Sequence, residues 1–185
     1  DLIDLVSENK KILPYFDIPV QHADEEVLRA MRRSGSGEKY GELFQKIREK
    51  NPDAVIRTTL MLGFPGEDRA AFEKLLEFVK NAEPDWMGSF TYSREEDTPA
   101  YSMRNQKDHD KAQRVAKKWQ KELEAVQSPI TEKHLERFVG KTYRALVEEK
   151  IEGEDLAIGR IYSQAPDVDG LTVIMGRDMK PGDTV

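Results

Sequence analysis

Apolar runs alternate with amphipathic segments along the first half of the chain. Three short runs are typical of buried strands, over residues 15–21, 54–62 and 86–92. The segments between them carry apolar residues at helical spacing and predict helices over residues 24–33, around residues 43–47 and over residues 67–80. Strands and helices that alternate in this way predict parallel βαβ units with the helices outside the sheet. Three strands are too few to close a barrel, so we expect an α/β fold with an open, partial βα barrel.

The second half of the chain has a different pattern. Residues 108–138 predict a long, highly charged helix, in which Pro129 is expected to cause a kink or a break. Short apolar runs then recur at the spacing of antiparallel strands, over residues 142–147, 156–161 and 171–175. We therefore predict two domains: residues 1–136, which include the long helix, and residues 137–185, a small antiparallel β-barrel.

Composition excludes several classes of protein. The chain has 185 residues, 35 acidic against 29 basic side chains, and no Cys. Without Cys, these residues can form no disulfide framework, no thiolate zinc site and no cysteine-ligated iron–sulfur cluster. The net charge of −6 argues against sequence-independent nucleic-acid binding. No apolar stretch is long enough to span a membrane and no signal segment is present, which predicts a soluble, cytoplasmic protein.

Both ends of the chain predict a piece of a longer protein. Asp1 stands where an initiator Met would be, at the start of a segment that is already apolar-periodic. At the other end, Pro181 and Gly182 predict a turn with no complete strand after it. We therefore expect a domain cut at both ends, and the missing strands to leave sheet edges uncovered.

The sharpest local feature is the segment from Gly63 to Glu67, which separates the second predicted strand from its helix. Two glycines at the carboxyl end of a parallel strand leave backbone groups free, so that a ligand ring can lie against the main chain. The alternative is a tight turn in which Glu67 stabilises the helix N-terminus. The segment lacks the Lys and Ser/Thr of a phosphate-binding loop and the glycine spacing of a dinucleotide-binding motif.

A second group of candidate residues lies on and after the first strand. Gln21 and His22 follow that strand, at the edge where parallel sheets bind ligands. Asp17 is a charge within an apolar run, and Arg57 on the neighbouring strand is its candidate partner. The alternative is that Asp17 and Arg57 form a purely structural pair and His22 is a loop residue. Because no catalytic triad, paired His or carboxylate dyad is evident, the residues alone predict a ligand-binding face without catalytic groups.

Three segments together resemble one known family. They are residues 15–23 (YFDIPVQHA), 31–33 (MRR) and 57–67 (RTTLMLGFPGE). The likeness continues through residues 90–98, the long helix and residues 138–141, and so covers nearly the whole chain in order. In these motifs the chain is similar to the radical S-adenosylmethionine methylthiotransferases. The resemblance implies the carboxyl-terminal part of a radical S-adenosylmethionine core in residues 1–136, and an incomplete TRAM-like β-barrel in residues 137–185.

The resemblance also implies an activity and its cofactors. Members of this family use S-adenosylmethionine and two cysteine-bound four-iron–four-sulfur clusters to place a methylthio group on an unactivated carbon. The cysteines that bind these clusters lie in the amino-terminal domain and at the first barrel strand of the family, and this chain has none. The full-length protein is therefore expected to be a methylthiotransferase, and this piece alone to be inactive, with no catalytic or metal-binding residue.

Two branches of the family differ in substrate. One modifies an aspartate of a small-subunit ribosomal protein, and the other modifies an adenosine of transfer RNA. Residues 158–160 and 165–170 resemble the ribosomal-protein branch. From Glu136 onwards the chain has seven basic and ten acidic side chains, and an acidic barrel suits a basic ribosomal protein better than RNA phosphates. The ribosomal protein is thus the expected partner, with contact between the TRAM domain and RNA as a further expectation.

The resemblance assigns cofactor-binding roles to six residues. Gly63, Phe64 and Pro65 are expected to line the adenine of S-adenosylmethionine through backbone contacts. Arg57 is expected to reach the methionyl carboxylate, since a guanidinium suits bidentate carboxylate binding. Gln21 and His22 are expected to face the ribose or the approaching substrate.

Three other functions compete with this hypothesis. The first is methylthiolation of transfer RNA, the reaction of the sister branch. The second is a non-catalytic, ribosome-binding adaptor, which the absence of Cys favours. The third is an unrelated βα protein with a β-barrel tail.

Overall fold

The computed structural model describes residues 1–185 and contains five α-helices, a 3₁₀ helix and six strands. The helices are α1 Leu2–Glu8, α2 Glu25–Ala30, α3 Gly37–Lys50, α4 Arg69–Ala82 and α5 Gln106–Glu136, and the 3₁₀ helix is Pro99–Met103. The strands are β1 Tyr15–Asp17, β2 Val55–Leu62, β3 Trp86–Thr91, β4 Leu146–Lys150, β5 Leu156–Arg160 and β6 Thr172–Met175.

Internal contacts divide the chain into two compact units. The first, called the α/β unit below, comprises residues 16–135, and the second, called the β unit, comprises residues 1–15 together with residues 136–185. The predicted domain boundary at residue 136 stays a prediction, because a division by contacts does not test where each domain folds independently. None of the helices combines the length and the apolar character needed to cross a membrane.

The α/β unit is built on a three-stranded sheet in the order β1-β2-β3. Strands β2 and β3 pair in parallel, with Thr58 opposite Met87 and Leu62 opposite Thr91. Strand β1 is shorter than its apolar run predicts, because Pro19 has no N–H to donate. After Pro19 the chain pairs with β2 again at a parallel bridge between Gln21 and Leu60. The predicted strand–helix order is confirmed.

One face of this sheet is buried and the other is partly open. Along β2, Ile56, Leu60 and Leu62 are fully buried, while Arg57 and Met61 on the opposite face are only half-buried. Helices α3 and α4 bury apolar side chains and meet through their aromatic rings, with 5.9 Å between the ring centroids of Phe44 and Phe78. This is the burial pattern expected where helices cover one side of a parallel sheet.

Helix α5 is continuous through Pro129, so of the expected kink or break the break does not occur, and the kink stays a prediction. Two bonds fix the helix on either side of the proline: Gln127 Nε2 donates to the carbonyl of Pro84 (2.8 Å), and Thr131 Oγ1 donates to the carbonyl of Asp85 (2.8 Å). Trp119, on the same helix, stacks on Phe72 with 4.9 Å between ring centroids. Trp119 is therefore a packing residue between α5 and α4.

The β unit contains an antiparallel sheet in the order β4-β5-β6. Strand β4 begins at Leu146, so the prediction of a strand over residues 142–147 was wrong by several residues. The charged end of β4 forms the strand because it pairs with β5 through a bulge between Val147 and Glu149. No strand follows the turn at residues 181–182, as predicted, but Val185 exchanges two backbone hydrogen bonds with Ala145 (2.7 and 2.9 Å).

Helix α2 depends on a charged N-cap. Asp24 Oδ1 accepts hydrogen bonds from the backbone N–H groups of Glu26 (2.9 Å) and Val27 (3.0 Å), and Asp24 Oδ2 accepts one from Lys74 Nζ (2.7 Å). Burial acts to raise the pKa of Asp24, but the hydrogen bonds from Lys74 and from the helix backbone outweigh it and lower the pKa below its ordinary value of 3.8. A carboxylate with a lowered pKa contributes stability above its ordinary value, and that contribution is lost as the pH falls.

The Asp24→Asn variant should therefore be less stable than the wild type at neutral pH and should lose less stability on acidification. Asn retains a capping oxygen, so helix α2 is expected to form, while the charge that pairs with Lys74 is gone. Thermal unfolding temperatures measured from pH 7 to below pH 3.8 test this. The control is Asp178→Asn, an exposed position in the β unit. If acid weakens Asp24→Asn as much as the wild type, the charge of Asp24 does not stabilise the helix.

Candidate functional site

A cavity of about 390 Å³ lies in the α/β unit, beyond the carboxyl ends of the three parallel strands. This volume falls in the range of small-molecule sites. Its lining is mostly apolar and includes three methionines, two aromatic rings and one amide: Met31, Met61, Met103, Phe64, Phe90 and Gln21. A larger open groove of about 1050 Å³, with Glu38, Glu42 and Glu77 among its lining residues, lies between α3 and α4. The cavity, unlike the groove, lies at the edge where parallel sheets bind ligands.

Gln21 brings an unused hydrogen-bond acceptor to the cavity. Its backbone has a φ of 71°, which is uncommon for a residue other than glycine. Two bonds to β2 hold it there, from Gln21 N–H to the carbonyl of Thr59 (2.9 Å) and from Met61 N–H to the carbonyl of Gln21 (2.8 Å). The side-chain oxygen Oε1 is buried and has no hydrogen-bond partner. Because a buried, unpaired acceptor is costly, Gln21 is suited to accept a hydrogen bond from a ligand.

The turn after β2 is packed closely against helix α5. Gly63 has a φ of 81°, and a Cβ at this position would lie 2.8 Å from the Cβ of Ala116, so only glycine fits. Gly63, Phe64 and Pro65 are all buried. Of these three residues, only Phe64 lines the cavity.

The prediction that the backbone groups of this turn are free was wrong for Gly63 and for the carbonyl of Phe64. Gly63 N–H donates to the carboxylate of Glu67. The carbonyl of Gly63 accepts from Arg104 Nη1 (2.8 Å), and the carbonyl of Phe64 accepts from Arg104 Nη2 (3.2 Å) and from Glu67 N–H (3.0 Å). These three backbone groups are therefore not free to bind a ligand.

His22 and Glu67 form a fully buried pair below the turn. His22 Nδ1 accepts a hydrogen bond from the backbone N–H of Asp24 (3.0 Å), so the ring carries its proton on Nε2. That Nε2–H donates to Glu67 Oε1 (3.2 Å), and both side chains are 0% exposed. His22 thus lies behind the turn and not among the residues that line the cavity.

Glu67 has a different structural role from the one predicted as the alternative. The N-cap of helix α4 is Asp68, whose side chain accepts from the backbone N–H of Ala71 (2.9 Å). Glu67 instead binds His22 with one oxygen and Gly63 with the other. It therefore ties the end of β1 to the turn after β2.

Arg57 and Asp17 form the pair that the sequence offered as a structural alternative. Arg57 Nη1 lies 3.2 Å from each carboxylate oxygen of Asp17 and 3.0 Å from Thr59 Oγ1. The Asp17 side chain is 49% exposed, so its charge is less costly than a buried carboxylate would be. Arg57 and Met61 are four positions apart, which places Arg57 roughly 13 Å along β2 from the cavity lining.

Sequence reasoning missed three features of the site. It did not find the pairing of His22 with Glu67, the two bonds from Arg104, or the methionines that line the cavity. The available signals were the acidic residue that closes the motif of residues 63–67 and the Met at position 31. Nothing in the local pattern around Arg104 indicates its contact with the turn.

Comparisons with known proteins match both halves of the chain. The model of the radical SAM superfamily matches residues 1–79, and the model of the TRAM domain matches residues 139–185. These matches and the observed antiparallel sheet confirm the predicted fold class, part of a radical S-adenosylmethionine α/β core followed by a TRAM domain.

Curated relatives match nearly the whole chain. The ribosomal protein uS12 methylthiotransferase RimO of Treponema denticola is 43% identical over an alignment of 185 positions, which covers 94% of this chain and 38% of the relative. Proteins of the same name from Thermotoga maritima and Aquifex aeolicus are each 41% identical, over 96% and 99% of this chain and 40% and 42% of the relatives. The chain thus spans about two fifths of the length of these relatives.

Among solved structures, coproporphyrinogen III oxidase (HemN) of Escherichia coli, a radical SAM enzyme, covers 57% of this chain and 25% of its own. Its TM-score of 0.47 and identity of 21% are too low to support an argument. The two family models and the relatives carry the assignment by themselves. Because the matches extend along nearly the whole sequence, the chain belongs to the radical S-adenosylmethionine methylthiotransferase family.

Proposed function

We propose that this chain is part of an iron–sulfur radical S-adenosylmethionine enzyme that adds a methylthio group to an aspartate of the small-subunit ribosomal protein uS12. The observation that carries the proposal is the identity of about 40% to proteins named for this activity, along nearly the whole chain. The sequence segments at residues 158–160 and 165–170 support the same branch.

The cavity fits the adenosyl group of S-adenosylmethionine. It offers an aromatic ring at Phe64, polarizable side chains at Met31 and Met61, and the unpaired acceptor of Gln21 for an N–H or O–H of the cofactor. When bound, the cofactor supplies the chemistry that activates an otherwise unreactive C–H bond. The residues of this chain bind and orient it and exclude water from one side.

The six residues assigned by resemblance divide into three groups under this proposal. Gln21 and Phe64 contact the cofactor from the cavity wall. Gly63, Pro65 and His22 act through the turn that holds Phe64 in place. Arg57 keeps its proposed role toward the methionyl carboxylate, which requires the cofactor to extend along β2 to the pair that Arg57 forms with Asp17.

The residues of this chain do not fit an iron–sulfur cluster. The chain has no Cys, and no group of three or more His, Asp or Glu side chains in residues 1–185 could hold a metal ion. We therefore propose that both four-iron–four-sulfur clusters are bound by cysteines of a longer protein. The relatives, of which this chain spans about two fifths, have such a length.

The proposed partner is a basic protein that meets the acidic carboxyl-terminal domain. Residues 136–185 carry seven basic and ten acidic side chains, which favours a basic ribosomal protein over RNA phosphates. The TRAM match leaves contact with RNA as a further proposal. The proposal also places the domain boundary at residue 136 and the enzyme in the cytoplasm, where ribosomes are made.

Activity of the full-length protein, with its clusters reconstituted, tests the function. Mass spectrometry of uS12 after incubation should show a methylthio group in place of one hydrogen, on a single aspartate. The control substrate is transfer RNA, which should stay unmodified. Modification of transfer RNA alone would move the protein to the sister branch. Binding of uS12 or ribosomes without modification of either substrate would favour the non-catalytic adaptor.

A further inference from the structure

Arg104 connects two loops that come from different strands. It follows the 3₁₀ helix, in the segment between β3 and α5. Its guanidinium donates to the carbonyls of Gly63 (2.8 Å) and Phe64 (3.2 Å), two consecutive residues of the turn after β2. A planar guanidinium can donate to two neighbouring acceptors at fixed spacing, which a Lys ammonium cannot reproduce.

The segment that Arg104 anchors is one wall of the cavity. Thr98, Pro99, Ala100 and Met103 line the cavity from this segment. The 3₁₀ helix has no fully buried residue and no side-chain hydrogen bond at its N-cap, and of its residues only Ala100 packs on the apolar cluster that contains Phe64 and Tyr92. The two bonds from Arg104 add a polar anchor at its carboxyl-terminal end.

A second arginine makes the segment rigid, so that Arg104 holds it as a whole. Arg94 Nε donates to the carbonyls of Tyr101 (3.0 Å) and Arg104 (2.8 Å), and the Arg94 guanidinium lies 3.5 Å from the centroid of the Tyr101 ring. These contacts close the loop on itself. Arg104 is the residue of this loop whose side chain forms hydrogen bonds with the turn at Gly63 and Phe64.

We propose that Arg104 is a positioning residue that fixes the wall formed by residues 98–103 against the turn that carries Phe64. The inference rests on the proposed function, in which S-adenosylmethionine occupies this cavity. Phe64 and residues 98–103 both contribute to the cavity lining, so the bonds from Arg104 set how these two parts of the lining meet. Loss of these bonds leaves Phe64 packed against Tyr92, with 5.0 Å between ring centroids, and loosens residues 98–103.

The test uses Arg104→Met and Arg104→Lys in the full-length protein with reconstituted clusters. The dissociation constant for S-adenosylmethionine should rise about 10-fold in Arg104→Met, and by a smaller factor in Arg104→Lys, which can keep one of the two bonds. Hydrogen exchange of residues 98–103 should be faster in Arg104→Met without ligand, and the protection that the ligand gives these residues should be lost. Exchange in β2 and β3 should not change.

The control is Arg114→Met, an exposed arginine in the first third of α5. It should match the wild type in both measurements. If the wild type binds S-adenosylmethionine and Arg104→Met has the same dissociation constant and the same protection of residues 98–103, the inference is wrong. The proposed function is not affected by that result. Absence of S-adenosylmethionine binding by the wild type would overturn the proposed function together with the inference.

Discussion

Replacing Glu67 by Ala is expected to destabilise the α/β unit by about 3 kcal/mol, because it breaks a buried hydrogen-bonded pair by removing one partner. The Glu67 carboxylate is fully buried and binds His22 Nε2–H and Gly63 N–H. The variant leaves both donors buried without an acceptor. Gln at this position keeps one acceptor oxygen and should cost less than Ala.

Native-state hydrogen exchange of the full-length protein measures this effect locally. The opening free energy of residues 20–23 and 61–67 should fall by about 3 kcal/mol in Glu67→Ala. The matched control is Glu73→Ala, an exposed glutamate of α4 whose ion pair with Arg69 lies at the surface and should contribute little. If the two alanine variants behave alike, the buried pair does not hold the turn.

The Gln21→Met variant is expected to change ligand affinity and stability in opposite directions. Met has nearly the shape of Gln but no acceptor, so a donor of the bound cofactor loses its partner, and the dissociation constant for S-adenosylmethionine should rise about 30-fold. In the unliganded protein, Oε1 of Gln21 is buried without a partner. Removing it should therefore stabilise the free protein by about 1 kcal/mol.

Equilibrium binding and thermal unfolding of the full-length protein measure the two effects. Gln45→Met is the control, because Gln45 is exposed on α3 and bonds only to Glu49 on the same helix. It should change neither quantity appreciably. A Gln21→Met protein that binds as tightly as the wild type would show that the acceptor does not face the cofactor. A destabilised Gln21→Met protein would show that the oxygen is satisfied in solution.

The strands and helices of the α/β unit could be predicted because their signals are local. Strand β2 was predicted over residues 54–62 and is observed over residues 55–62, since β-branched and apolar residues mark it and the glycine turn ends it. The amphipathic pattern of residues 67–80 likewise predicted helix α4, observed over residues 69–82. Each signal lies within the element that it predicts.

The site was harder to predict because its contacts join distant parts of the chain. His22 and Glu67 are 45 residues apart, and Arg104 and Gly63 are 41 residues apart. No pattern within one helix or strand contains these pairs. The free backbone expected at Gly63 followed from the glycine alone, whereas the structure uses that glycine to admit Ala116 of α5.

Strand β4 shows why pairing can override local composition. The segment over residues 142–147 has more apolar character, yet the strand covers Leu146–Lys150. Glu148, Glu149 and Lys150 are exposed, so they lose little by lying in a strand, and their backbone pairs with β5. Where side chains face solvent, the partner strand decides the register.

The central claim is that the adenosyl group of S-adenosylmethionine binds in the cavity beyond the carboxyl ends of β1, β2 and β3. Photolabelling of the full-length protein with an azidoadenosyl analogue of the cofactor, followed by peptide mapping, tests it most directly. We expect label on peptides that contain residues 61–64 or 98–103, and competition by unlabelled S-adenosylmethionine. Competed label confined to residues 37–49, which line the larger groove between α3 and α4, would contradict the claim.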